Sequence, residues 1–188
     1  MRLVERVAII LASLALSFGL IALLSGFFEN HDNGNLTGTS SGPGRAFRDM
    51  GDSTLTPGEL RPAYDSHPPT SGPHVLKAVT QDEAALSDDQ LLSALAVGDV
   101  VILYGTRRPP SALTALARSV AGSFTPALAA TGQAVILAPA RRQMGLVGMA
   151  WAHMIRVPQA TDPRLATFAS YWLGRGAPRQ GSDDVRAP

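Results

Sequence analysis

The most apolar long stretch of the chain runs from Val7 to Phe28, 22 uncharged residues rich in Leu, Ile and Ala. As a helix rising roughly 1.5 Å per residue it spans about 33 Å, enough to cross a bilayer core once. Arg2 and Arg6 precede it, while Glu29 and Asp32 follow. Positive-inside bias therefore predicts residues 1–6 in the cytoplasm, 7–28 as a transmembrane anchor, and the main domain periplasmic or otherwise extracytoplasmic. The run is longer than a signal-peptide core and Leu24–Phe28 has no small-x-small cleavage site, so the anchor is expected to be retained. Residues 29–62 lose the pattern. Gly, Ser, Thr, Asn and Asp dominate, with Phe47, Met50, Leu55 and Leu60 scattered among them, which predicts a flexible tether.

Periodic patterning returns in residues 63–174. Ser87-Asp88-Asp89 supplies an N-cap and first-turn acids for a helix carrying Leu91, Leu92 and Leu95, with Gly98 as its stop. Val100–Tyr104 reads as a strand buried on both faces. Pro109-Pro110-Ser111 opens a second helix with Leu113, Leu116, Ala117 and Val120 on one side, closed by Gly122. Ala134–Ala138 is a second strand and Leu146–Ile155 a third, with Leu146, Gly148, Ala150 and Ala152 on one face and Val147, Met149, Trp151 and His153 on the other. Asp162-Pro163 starts a last helix with Leu165, Phe168, Ala169 and Trp172 at helical spacing. The order predicts an α+β (or α/β) domain, a small sheet of about three to five strands packed with two to three helices, preceded by one transmembrane helix. Residues 175–188 read as a loose C-terminal tail.

One stretch inside the domain resists both periods: Tyr64-Asp65-Ser66-His67-Pro68-Pro69-Thr70-Ser71-Gly72-Pro73-His74. Its three prolines fix φ and remove donors, so it cannot join a helix or a central strand and is expected to lie as a shaped plug against the domain. Composition narrows the chemistry. Sixteen Lys plus Arg face fifteen Asp plus Glu, a net charge of +1, with no excess of positive charge for nucleic acid. Cysteine is absent, which removes disulfides, thiolate nucleophiles, Cys-ligated zinc, iron-sulfur clusters and lipoprotein acylation. No histidine lies in the anchor, so no haem or chlorophyll ligand is expected there. There is neither a P-loop nor a Gly-x-Gly-x-x-Gly cradle, and the expectation is a protein without a cofactor.

The run Tyr-x-x-x-Pro-Pro-Thr-Ser-Gly-Pro-His, after an anchor and a loose linker, resembles a bacterial membrane-anchored family known only as domain of unknown function 3105. The resemblance covers about Tyr64 to Leu173. It implies a second signature, His-Asn-Leu-Glu-His-Gly, which aligns with Ser93-Ala94-Leu95-Ala96-Val97-Gly98. Leu95 and Gly98 survive, whereas the two histidines and the glutamate are replaced by Ser93, Val97 and Ala96. Alanine and valine can neither ligate a metal nor transfer a proton. A domain kept for its shape is the reading this favours.

Three sets of candidate residues follow. Tyr64, Pro68, Pro69, Thr70, Ser71, Gly72, Pro73 and His74 form a structural or partner-docking element. Arg107-Arg108 and Arg141-Arg142, near strand ends, suit protein interfaces or lipid phosphates because the guanidinium fork is planar and weakly hydrated. His67, His74 and His153 are the alternative, an extracytoplasmic copper or zinc site, against the simpler reading that these imidazoles bond loop carbonyls and lock the plug. A weaker hydrolase reading pairs Ser71 with His74. The expected function is that of a non-catalytic accessory subunit, its partners the bilayer and the integral subunits of a larger membrane complex, photosynthetic or respiratory.

Overall fold

The computed structural model describes residues 42–140 and 145–178. The predicted anchor at Val7–Phe28, the pair Arg141-Arg142 and the end of the tail lie outside them. Among the described residues no helix is long and apolar enough to cross a membrane.

The elements in chain order are β1 (Arg45–Ala46), α1 (Asp88–Val97), β2 (Val100–Tyr104), α2 (Ser111–Ala121), α3 (Pro126–Ala130), β3 (Val135–Pro139), β4 (Leu146–Ala150), β5 (His153–Val157) and α4 (Pro163–Trp172). The strands form one mixed sheet in the order β1-β5-β4-β2-β3. β2 and β3 are parallel, and α2 and α3 make the crossover that parallel pairing requires. The remaining pairs are antiparallel. This is the α+β class expected, with four helices where two to three were predicted. The extra one, α3, is a short turn capped by Thr125, whose Oγ1 accepts the Leu128 N–H at 3.2 Å.

Each face of the sheet has its own core. α1 and α3 cover Val101, Leu103, Ile136, Val147 and Met149. α2 and α4 cover Val100, Ile102, Tyr104, Leu137 and Gly148, where Phe168 and Leu165 approach. β2 is buried along its whole length, as its unbroken apolar run predicts, and a fully buried aliphatic side chain contributes about 1.5–3 kcal/mol. α1 begins with a reciprocal capping box between Ser87 and Gln90 and stops at Gly98, whose φ of 115° is open to glycine.

The predicted strand Leu146–Ile155 is a hairpin. β4 and β5 are joined by Trp151 and Ala152, with Ala150 opposite His153 and Met149 opposite Met154. No Gly or Asn marks that turn; Ala152 takes φ 55° itself. Its geometry is set from outside. The Ala152 N–H donates to the Thr70 carbonyl at 3.0 Å and its carbonyl accepts the Phe47 N–H at 2.8 Å. The turn also reverses the expected face of His153, which lies on the α4 side, stacked on Trp172 at 3.8 Å.

Part of the stretch expected as a tether is laid on the domain. β1 pairs with β5, Leu55 is buried, and Thr54 bridges His74. The tail likewise begins with contacts. The Gly174 N–H donates to the Gly98 carbonyl and the Ala177 N–H to the Ala96 carbonyl, both at 2.9 Å. At the outer edge of the sheet, the Leu137 N–H donates to Asp82 and the Leu137 carbonyl accepts the Glu83 N–H. That closes an edge otherwise open to another strand.

Three backbones converge at the end of α1. A Cβ on Gly132, which has φ 70°, would overlap the carbonyl of Val97, and one on Gly98 would lie 2.9 Å from the Gly174 carbonyl carbon. Gly122 also has a positive φ, 77°, but nothing within 4 Å. Gly132→Ala is therefore expected to cost about 3 kcal/mol or more and Gly122→Ala only about 1, compared by urea denaturation; equal losses would contradict the packing.

Candidate functional site

The proline-rich plug folds around its own polar atoms. Tyr64 lays its ring over Gly72, where a Cβ would come within 2.7 Å, and donates its hydroxyl to the Pro73 carbonyl at 2.8 Å. The Ser66 hydroxyl accepts the Thr70 N–H at 3.0 Å. The His67-Pro68 peptide is cis. Thr70, Ser71 and His74 are fully buried, so their polar atoms need partners within the fold, and among their side-chain atoms His74 Nε2 alone lacks one.

Those partners come largely from the strap at residues 47–55. Ser71 Oγ donates to the Arg48 carbonyl at 3.0 Å and accepts the Met50 N–H at 3.1 Å. The His74 N–H donates to the Ser53 carbonyl at 3.1 Å, and its carbonyl accepts the Leu55 N–H at 2.9 Å. Asp65 accepts the Arg48 N–H at 2.8 Å. Asp89, in the first turn of α1, completes the clamp by accepting the Val75 N–H and pairing with Arg61 at 2.6 Å. Burial pushes the Asp89 carboxyl up, but the Arg61 guanidinium and the Val75 N–H outweigh it and hold it below the usual carboxylate range.

This arrangement answers the hydrolase reading. The Ser71 proton is committed to a carbonyl inside the fold and the hydroxyl has no access to solvent. His74 makes no hydrogen bond to it: His74 Nδ1 faces the Gly72 carbonyl at 2.9 Å, and Nε2 is buried without a hydrogen-bond partner among the described residues. The three candidate metal ligands do not come together either. His67 is exposed on the plug's rim, its carbonyl accepting from Arg156 at 3.2 Å. His153 points Nδ1 at the Trp151 carbonyl, and burial holds its imidazole below the ordinary range. Among the described residues no group of three or more His, Asp or Glu is placed to hold a metal ion. Arg107 and Arg108 are exposed on the loop after β2, where the Arg108 carbonyl accepts the Thr106 hydroxyl at 2.7 Å.

A different site emerges on α1, at the positions where the resemblance predicts the second signature. Ser93 and Val97, on α1, line a groove of about 290 Å³ closed by Leu76–Thr80 on one side and by Pro126, Ala129 and Ala130 on the other. Its walls are mostly apolar. Leu76 and Val97 are 67% and 48% exposed, two of the three large apolar side chains left open to solvent among the described residues. The Ser93 hydroxyl accepts the Lys77 N–H at 3.0 Å, tying the outer wall to the helix. Asp99, 1% exposed, also belongs to the lining. Its Oδ1 accepts the Ala134 N–H at 2.8 Å, while its Oδ2 is buried without a hydrogen-bond partner among the described residues. Burial pushes this carboxyl up to about 7, only partly opposed by the Ala134 N–H. The sequence reading missed Asp99 and Leu76. The available signal was an acid placed directly before an all-apolar strand.

Residues 59–185 match the family described as "Protein of unknown function (DUF3105)". No curated protein and no solved structure matches the chain.

Two outcomes are expected from this geometry. Ser71→Ala deprives the part-buried Met50 N–H and Arg48 carbonyl of their partner and should lower stability by about 1–2 kcal/mol in urea denaturation; a loss below about 0.5 kcal/mol would mean the strap is not held there. Asp99 acts through pH. With its folded pKa raised above the unfolded value, the native state keeps a proton that the unfolded chain has released between about pH 4 and 7, so folding weakens as pH rises through that window. Asp99→Asn removes this slope. The variant should gain about 2–3 kcal/mol on the wild type between pH 5 and pH 8, and parallel curves would contradict the assignment.

Proposed function

The chain belongs to the DUF3105 family, and from that premise we propose that it is a non-catalytic, single-pass membrane subunit whose extracytoplasmic domain docks on and braces a larger membrane-protein complex. The observation that carries this reading is the groove. At the positions aligned with the family's paired histidines the chain has Ser93 and Val97, and it presents an open apolar cleft flanked by exposed Leu76. An apolar cleft on a rigid helix suits contact with another protein better than proton transfer. The plug supports the same reading, because its Ser66, Ser71 and His74 side chains are turned inward, Ser71 onto the strap and the other two onto the plug's own backbone. The Val7–Phe28 run would supply the anchor, and an electron-transfer complex, photosynthetic or respiratory, is the partner class to test first.

The test is a mild-detergent pull-down of the tagged full chain from its native membranes, with mass spectrometry of the partners. Stoichiometric co-purification of integral subunits is expected for the wild type. Leu76→Glu should lose most of it, since Leu76 is too exposed for the change to disturb folding. A wild-type protein that migrates alone would refute the proposal.

A further inference from the structure

The groove on α1 combines two features that seldom coexist on an idle surface. Its walls, Leu76, Val79, Val97 and Ala129, are aliphatic, and its lining includes one deeply buried carboxyl with an unpartnered oxygen, Asp99 Oδ2. The ion pairs among the described residues join Arg61 to Asp89 and Arg164 to Asp162, so Asp99 has no internal cation. Lys77, the one cationic side chain of the lining, is exposed on the outer wall. At about 290 Å³ the cavity falls near the lower bound of roughly 300 Å³ for small-molecule pockets and is far too small for a helix.

We propose that this groove receives a single lysine or arginine side chain of the partner subunit, its aliphatic stem along Leu76, Val79 and Val97 and its charged head on Asp99 Oδ2. The inference rests on the docking role proposed above and names the chemistry of the contact. Long basic side chains are apolar along the stem and charged only at the tip, which matches aliphatic walls above one acid. A charge-assisted hydrogen bond to a buried carboxylate is about twice as strong as a neutral one. It would also supply Asp99 with the partner the fold withholds. Ser93 and Val97 fit the role: a histidine at either position would place an imidazole in the cleft the stem occupies, whereas serine and valine leave it open.

The probe is n-butylguanidinium, titrated into the full chain in detergent and followed by amide chemical shifts, with 1-pentanol as a neutral molecule of similar length. Saturable shifts at Ser93, Val97 and Asp99 are expected for the guanidinium. Asp99→Asn should weaken binding at least tenfold, consistent with loss of a hydrogen bond to a charged group. Val97→Trp, at a half-exposed position, should block the groove while leaving the remaining spectrum in place. Equal binding of pentanol, undiminished binding by Asp99→Asn, or no shifts at those residues would each overturn the proposal. If the probe fails while Leu76→Glu still strips partners in the pull-down, the bracing role stands and the basic occupant falls. Probe binding by a chain that has no membrane partner would overturn the partner's share in it.

Discussion

A segment with few backbone donors can be buried only if other segments bring donors to it, and that constraint shapes one whole side of this protein. Pro68, Pro69 and Pro73 offer no N–H, yet Thr70, Ser71 and His74 lie at zero exposure. Leaving a buried polar group unpaired costs about 1–3 kcal/mol. The deficit is met by the backbone N–H groups of Arg48, Met50 and Leu55 from the strap and of Ala152 from the hairpin tip. The plug, the strap and the β4–β5 turn are therefore one structure. None of the three has a repeating pattern of its own, and each takes its shape from the other two.

That mutual dependence explains which parts of the fold were legible in the sequence. α1, α2 and α4 carry apolar residues at helical spacing between local start and stop signals, and β2 is an uninterrupted apolar run, so period and punctuation located them. The hairpin was not legible, because the residue that turns it is an alanine held at positive φ by hydrogen bonds from Phe47 and to Thr70. The strap was not legible either. Its Gly- and Asp-rich composition is that of a tether, and only the plug's need for donors makes it ordered. Long-range pairing of this kind leaves no local trace.

The candidate site was legible in the same partial way. The plug residues were marked by their composition, and the structure gives them internal partners. The groove was marked only through the resemblance, which places the histidines and glutamate of its second signature at Ser93, Val97 and Ala96. What could not be read is that Leu76 and Asp99 stand beside those positions, because a loop residue and a pre-strand acid converge on α1 only in three dimensions. Leu95 and Gly98 have structural work there, one in the core and one ending the helix beside Gly174.

The account stands or falls on the plug being a fixed part of the core instead of a lid over a reactive centre. Hydrogen exchange on the full chain tests this directly at the amides of Met50, Leu55, Thr70, His74 and Ala152, each bonded across the plug. Exchange as slow as that of Ile102 in the buried β2 strand is the predicted result, since the plug should open only with global unfolding. Exchange of these five amides orders of magnitude faster, with β2 still protected, would show a plug that opens by itself and would contradict the proposed structural, non-catalytic role.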